Sequence, residues 1–335
     1  MSMRAVVLHK YGSPNELTLE DVDVPIPNDD EVLIRVHASS INDWELGILE
    51  GKPFFMRFFL GWFKPKLKIM GTEVAGVVES VGKNITKFNP GAKVYGDLSE
   101  NKFGAFAEFV CSKENGIAHM PTNLSFEQAV AIPHAGLLAL QALQGIADIK
   151  PGQTLLINGA GGGVGTLGIQ LAKMCKKVRV TGVDSTEKQE YMRLLSFDNT
   201  VDYTKKDFVE LGVQYDIILD TKSTRSPADI AKALKPDGVY VTVGGHMSRI
   251  VQIAFLSRFI RKRENRSFHV LGLKPNKGLN YLTGLVENGK AIPAIDSRYP
   301  LDQTVLALKR FIAAQHKGKI IISVAPVNLP LHDDE

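Results

Sequence analysis

The run Gly159-Ala160-Gly161-Gly162-Gly163-Val164-Gly165 constrains this chain more than any other stretch. An apolar segment, Thr154-Leu155-Leu156-Ile157-Asn158, stands before it, and Thr166-Leu167-Gly168-Ile169-Gln170-Leu171-Ala172-Lys173 follows with helical spacing. The order strand, glycine turn, helix lets main-chain N–H groups converge where the helix dipole favours an anion. A pyrophosphate is the anion such a turn suits. At Gly162 any Cβ would collide with it, and Gly165 would let the helix pack tightly on the strand. An acid about 20 residues further on completes the pattern. Asp184 fills that place, at the end of the run Val178-Arg179-Val180-Thr181-Gly182-Val183. The bland alternative is an ordinary structural turn.

A chain of 335 residues is long enough for two domains with a large core. A formal charge of +4 carries no basic stripe of the density that nucleic-acid binding needs. The longest apolar runs are read as broken before the length of a membrane span. The start, Met1-Ser2-Met3-Arg4-Ala5-Val6-Val7-Leu8, goes straight into a strand-like run with no cleavable signal pattern. Cys111 and Cys175 lie far apart and outside any CxxC pair, which fits a reducing, cytoplasmic setting.

Up to about residue 125 the chain reads as short strands, at 4–8, 32–37, 73–81, 93–96 and 105–111, punctuated by Gly, Pro and Asn. Glycines in Gly71-Thr72-Glu73-Val74-Ala75-Gly76 and onward to Gly82 suit a curved barrel. From Ser125 the period becomes helical, and Ser125-Phe126-Glu127-Gln128 reads as a helix start. Strands and helices then alternate from 154 to 243, which predicts a doubly wound parallel sheet. A helix at 301–315 and a strand at 319–324 follow, and residues 328–335 read as a frayed tail. The expected fold is α/β, with a barrel domain over 1–125 and 296–335 and a dinucleotide-binding domain over 126–295.

This order of parts resembles the medium-chain dehydrogenase/reductase superfamily, which has a GroES-like catalytic barrel and a Rossmann domain. The motifs Asn42-Asp43-Trp44, Gly71-Thr72-Glu73-Val74-Ala75-Gly76 and the glycine run carry the resemblance. Zinc members have a cysteine in the early segment and His-Glu after the glycine at 71. Here the sequence reads Val36-His37-Ala38-Ser39-Ser40-Ile41 and Gly71-Thr72-Glu73, so the ligands that zinc needs are not expected. The chain therefore resembles the zinc-independent quinone oxidoreductase (zeta-crystallin-like) branch. That resemblance implies NAD(P)H as cofactor, no metal, and hydride transfer to a quinone or to the activated C=C bond of an enone or enal.

Asp184 can accept from ribose hydroxyls and repel a 2′-phosphate, which favours NADH. Ser185, Thr186, Lys188 and Tyr203 stand where a 2′-phosphate could bind instead, and Lys188 also reads as a solvated helix lysine. Asp220 and Thr221 end a strand on the crevice side of the sheet as cofactor-binding candidates; by resemblance, Thr221 lies near the nicotinamide ribose, Val243, Gly244 and Gly245 near the nicotinamide, and Lys319 near the pyrophosphate. Asn42 and Asp43 match the motif that lines the catalytic cleft, with Asp43 equally a turn cap. Glu73 is read as structural. His134 reads as a proton donor or, more plainly, as a helix-start histidine. Leu138 departs from the branch, which often has a threonine there.

Two further segments stand out. Residues 249–266 read as a basic amphipathic helix around Ile250, Ile253, Leu256, Phe259 and Ile260, suited to a lid, a homodimer contact or an anionic membrane surface. Phe54, Phe55, Met56, Phe58, Phe59, Leu60, Trp62 and Phe63 read as a cap over the substrate cleft, suited to a bulky apolar substrate. Two other functions compete: a zinc-free alcohol dehydrogenase, which would lack a Lewis acid, and a non-catalytic NAD(P)H-binding sensor or membrane-associated protein.

Overall fold

The computed structural model describes residues 1–54, 57–245 and 247–324, with only the backbone of Phe59 and of residues 256–264. Residues 328–335, read as a tail, lie outside the described residues, as do Phe55 and Met56 of the aromatic cluster. The chain divides into two units. One comprises Met1–Pro133, Ser297–Gln315 and the chain from Ile320; the other comprises His134–Asp296 and His316–Lys319.

In the first unit, β1 (Ser2–Leu8) and β2 (Leu17–Asp23) form an antiparallel hairpin. β3 (Glu31–Ser40), β4 (Glu73–Val81), β5 (Lys93–Asp97) and β7 (Ala118–His119) lie side by side in that order, and β6 (Phe109–Lys113) pairs with β3. Along its other edge β3 carries β6 over Glu31–Arg35 and the returning strand Lys319–Ser323 over Ala38–Ser40. The β3–β4 register shifts on either side of Ile34–Val36. There a Cβ on Gly76 would fall 2.2 Å from the Arg35 carbonyl oxygen. Glycine is required by this close approach at the bend. Val32, Ile34, Val36, Val74, Val78, Phe106, Ile320 and Ile322 fill the core, each contributing about 1.5–3 kcal/mol by leaving water.

The strand expected over 105–111 begins only at Phe109. Residues 105–107 are buried and tied to β1 by the Val6 N–H donating to Phe106 O and by an Ala5–Ala107 bridge. The first unit also runs past residue 125, because the short helix Phe126–Ala129 packs on β3 and β4. The stretch Phe126–Ile146 corrects one expectation: it is long and apolar enough to cross a membrane. Most of it is buried inside the protein, and it is divided among helix Phe126–Ala129, helix Pro133–Leu140 and a further helical stretch Gln141–Ile146.

The second unit is a parallel sheet of six strands, β8 (Thr154–Asn158), β9 (Arg179–Asp184), β10 (Asn199–Asp202), β11 (Tyr215–Asp220), β12 (Leu234–Thr242) and β13 (Ser267–Val270). Their order is β10-β9-β8-β11-β12-β13 and every neighbouring pair is parallel. The strands are short and rich in Val, Ile and Leu, as befits a sheet covered on both faces. Helix Gly163–Lys173 follows β8, Gln189–Leu194 follows β9 and Pro227–Ala233 precedes β12. Leu156, Val183, Ile218, Ile230, Tyr240, Ile253 and Phe268 share one buried cluster. Helix Met247–Glu264 covers most of the segment read as basic and amphipathic. Ile253 is buried while Val251 and Phe255 are exposed, so its described part shows apolar residues on both sides. The side chains of Arg258, Arg261, Lys262 and Arg263 lie outside the described residues.

Two glycines test this packing. A Cβ on Gly165 would meet the Ala160 carbonyl oxygen at 2.3 Å, whereas at Gly284, inside helix Leu279–Glu287, none of the described atoms lies within 4 Å. Gly165→Ala is expected to cost at least about 1–3 kcal/mol. Gly284→Ala is expected to add about 0.5–1 kcal/mol. Urea melts of both variants check the pair; equal effects would contradict the packing described.

Candidate functional site

In the parallel sheet the strand order reverses between β8 and β11, and ligands of such sheets bind beyond the carboxyl ends of the strands at that reversal. Asn158, Asp184, Asp220 and Thr242 end the four strands there. Asn158 Nδ2 donates to Asp220 Oδ1 across the reversal at 2.8 Å. The same oxygen accepts the N–H groups of Lys222 (2.8 Å) and Ser223 (3.0 Å), and Asp220 Oδ2 accepts the Tyr240 hydroxyl at 2.9 Å. Asp220 is fully buried. It therefore shapes the loop after β11 and does not face the crevice as the sequence reading placed it. Burial, with Asp220 beside it, pushes the Tyr240 phenol well above its usual range.

That loop carries the next residues. Thr221 donates its hydroxyl to Asn158 O at 3.0 Å. A Cβ on Gly245 would lie 2.1 Å from Lys222 O, so the loops after β11 and β12 touch. The Thr242 hydroxyl donates to Gly244 O at 2.9 Å, and the Val243 N–H donates to Asp220 O. Thr221, Val243, Gly244 and Gly245 thus share one edge with the glycine turn.

The turn itself is built as the spacing predicts. Gly162 is the N-cap of helix Gly163–Lys173, and no side chain caps that helix end. A Cβ on Gly162 would have only the Gly159 carbonyl oxygen nearby, at 3.5 Å, among the described atoms. Open space over uncapped amides fits a diphosphate. Three lysines border the turn, each against one glycine. A Cβ would lie 3.3 Å from Lys222 Cε at Gly159, 2.7 Å from Lys188 Cδ at Gly161 and 2.8 Å from Lys319 Cδ at Gly163. Ala160 and Val164 complete the turn; Ala160 is fully buried, and its N–H and that of Gly159 donate to Val183 O. The segment holding Lys319 is tied to the turn by the Gly318 N–H donating to Gly161 O at 2.8 Å.

Asp184 sits differently from expectation. Its Oδ2 accepts the Gly161 N–H at 2.8 Å and its Oδ1 the Ser185 N–H at 2.9 Å, while Lys188 Nζ lies 3.3 Å from Oδ1. Both side chains of the ion pair are buried. Lys188 is therefore not a solvated helix lysine, and its charge is committed to Asp184. Burial lowers its pKa, helped by Lys222 and opposed chiefly by Asp184. Thr186 Oγ1 is taken by Asp202 Oδ2 at 2.5 Å. That hydroxyl, with Thr204 and Lys205, holds the Asp202 carboxyl down to about 2. Tyr203 is exposed, and its N–H donates to Asp184 O.

Lys222 and His316 escaped the sequence reading. His316 is buried, and burial together with Lys188, Lys222 and Lys319 pushes its pKa down to about 4, against the pull of Asp296. It is neutral at pH 7. Its position three residues before Lys319 was the available signal.

In the first unit, Asn42 caps helix Asp43–Glu50. Its Oδ1 accepts the Trp44 N–H at 2.9 Å, and its Nδ2 lies 3.4 Å from Glu73 Oε2, which also accepts the Ser40 hydroxyl. Glu45 answers from the helix: Oε2 accepts the Asn42 N–H at 2.8 Å, and Oε1 accepts the Thr72 N–H at 2.8 Å and its hydroxyl. Glu45 and Glu73 are fully buried, so Glu73 is the structural group the sequence suggested. The spacing Asn42-x-x-Glu45 is that of a capping box and would have revealed Glu45. Asp43 is exposed in the first turn of that helix, where a carboxylate suits the dipole. His134 and Leu138 are buried in helix Pro133–Leu140 of the other unit. Phe54, Phe58, Trp62 and Phe63 are exposed. Among the described residues no group of three or more His, Cys, Asp or Glu is gathered as a metal ion would need.

Comparison with known proteins agrees with this architecture. Residues 28–122 match the family described as alcohol dehydrogenase GroES-like domain, and residues 195–322 the one described as zinc-binding dehydrogenase. The chain is 31% identical to 2-methylene-furan-3-one reductase of Solanum lycopersicum, over 97% of this chain and 80% of that one. It is 29% identical to the chloroplastic NADPH-dependent alkenal/one oxidoreductase of Arabidopsis thaliana, over 97% and 80%. The quinone oxidoreductase of Coxiella burnetii superposes with a TM-score of 0.85 at 27% identity, covering 97% of this chain and all of that one. With a GroES-like first unit, a Rossmann second unit and these relatives, the chain belongs to the NAD(P)H-dependent medium-chain dehydrogenase/reductase superfamily, in its quinone oxidoreductase branch.

Proposed function

We propose that the protein is a reductase that uses a reduced nicotinamide dinucleotide against quinones or the activated C=C bonds of enones and enals. The observation that carries this is the uncapped, lysine-bordered glycine turn at the strand reversal. The names of the tomato, Arabidopsis and Coxiella relatives support the substrate classes. When bound, the dinucleotide supplies a hydride. The chain's own groups bind and orient it: the first amides of helix Gly163–Lys173 take the diphosphate, and Lys319 and Lys222 add positive charge beside it. The loop of Val243, Gly244 and Gly245 offers main-chain groups to the nicotinamide end. Asn42, the substrate-side residue that the family resemblance implies, is held in one orientation by its cap and by Glu73. No acid–base pair is required of the chain, because water can protonate the enolate or the phenolate that hydride transfer leaves.

NADH is the preferred form in this reading. A 2′-phosphate at the end of β9 would meet Asp184 and the ionised Asp202, while Lys188 is already paired. The Arabidopsis relative is named for NADPH, and the preference proposed here rests on Asp184.

Oxidation of NADH by a water-soluble quinone and an enone panel tests the activity directly. Tight dinucleotide binding without turnover on the whole panel would favour the non-catalytic reading. Asp184→Asn keeps an acceptor for the Gly161 N–H and releases the Lys188 charge. It is expected to shift the NADPH/NADH ratio of dissociation constants toward NADPH by about tenfold or more; an unchanged ratio removes Asp184 from cofactor choice. His316 yields a pH dependence. Its folded pKa lies below that of the unfolded chain, so its contribution is complete above about pH 6.5 and drains away as pH falls toward 4. Between pH 6.5 and 4.5, His316→Gln should lose less stability than the parent, by about 2 kcal/mol in denaturant melts.

A further inference from the structure

The segment 52–68 stands apart from the rest of the surface. It holds Lys52, Arg57, Lys64, Lys66 and Lys68 and no acidic residue. Its described aromatic side chains face solvent: Phe54 is 57% exposed, Phe58 70%, Trp62 42% and Phe63 87%. They are not scattered. Trp62 makes an edge contact with Phe54 at 5.3 Å between ring centroids and a tilted contact with Phe58 at 4.7 Å. Water-facing aromatic clusters of this kind mark a surface that meets something apolar.

The base of the segment is fastened. The Tyr11 hydroxyl donates to Gly61 O at 2.7 Å, and Arg57 donates to Gly51 O and Glu50 O, both at 3.1 Å. The Arg57 guanidinium also lies 4.4 Å over the Tyr11 ring and 4.7 Å over Phe54. From Lys64 the exposure alternates: Lys64, Lys66 and Lys68 face water, while Pro65 is buried and Leu67 packs on the core. The three lysines are thus all presented to water from one short segment. Lys52 is offset by Glu50 at 3.0 Å. Among the described residues no carboxylate stands within ion-pair distance of Lys64 or Lys66.

We propose that this aromatic knob with its lysines docks the protein reversibly on anionic phospholipid bilayers. Indole and phenyl rings gain free energy at the boundary between headgroups and acyl chains. The lysines take the phosphate and carboxylate layer just outside it. The charge decides between occupants. A second copy would bring an equally basic, acid-free segment against this one, which is repulsive, whereas an anionic membrane is complementary in both charge and polarity. The docking is independent of the reductase activity and needs no dinucleotide, so either reading can fail alone.

The test uses the full-length protein with vesicles of phosphatidylcholine alone and of phosphatidylcholine mixed with phosphatidylserine. Co-sedimentation is expected only with the serine lipid and is expected to weaken as salt shortens the screening length. Lys64→Gln combined with Lys66→Gln should lower the partition coefficient by roughly 25-fold, at about fivefold per charge, with the unfolding midpoint unchanged. Trp44→Phe leaves Trp62 as the single indole, whose emission should shift to the blue on the anionic vesicles. Equal binding to both vesicle types, no binding, or an unshifted Trp62 emission overturns the proposal. So does self-association in ultracentrifugation that Phe58→Ser with Phe63→Ser abolishes.

Discussion

One buried carboxylate holds the candidate site together. Asp184 ends β9, grips the Gly161 N–H and draws Lys188 in over the same glycine. Removing either partner would strand an unpaired buried charge, which costs far more than the pair gains. The glycine turn therefore depends on a contact made by the next strand. That strand is parallel to β8 and pairs with it over Thr154–Asn158, so the sheet register sets the position of the glycine turn.

Much of this was legible in the residues. The glycine run with a strand before it and a helix after it located the uncapped turn, because main-chain geometry there admits few alternatives. The strand at 73–81, with small residues set among its valines, and the apolar run at 154–158 match the observed β4 and β8. The occupancy of Asp184 was not legible. Its distance from the glycines in sequence says that a carboxylate arrives, but not that N–H groups of the protein reach it first. Lys222 and His316 were missed for a similar reason: they come from loops whose course is set by the buried hub at Asp220 and by the late return of the chain. β13 was missed because Ser267–Val270 is short and carries no strong period.

The first unit shows a second way of making a site rigid. Glu45 and Glu73 are both fully buried, and each accepts hydrogen bonds from neutral donors of the protein. Hydrogen bonds to a carboxylate are stronger than neutral ones and need no cation. The motif Asn42-Asp43-Trp44 is consequently held by its neighbours on the helix and on β4, and its residues differ in availability: Asn42 is buried and Asp43 faces water. A sequence pattern lists them together, while the fold separates their tasks.

The pairing of Gly318 with Gly161 has a consequence for how the protein is made. The Rossmann unit ends its main span at Asp296 and then takes back only His316–Lys319 after the chain has visited the other unit. On the ribosome, the glycine turn thus waits for residues 316–319, made well after the rest of its unit, before its last wall is in place. Nascent chains fold as units in the order they emerge, so the parallel sheet can assemble early while the glycine turn stays open on one side. Closure of the turn is in this way coupled to synthesis of residues 316–319, and a chain terminated before them would carry the glycine turn without its closing segment.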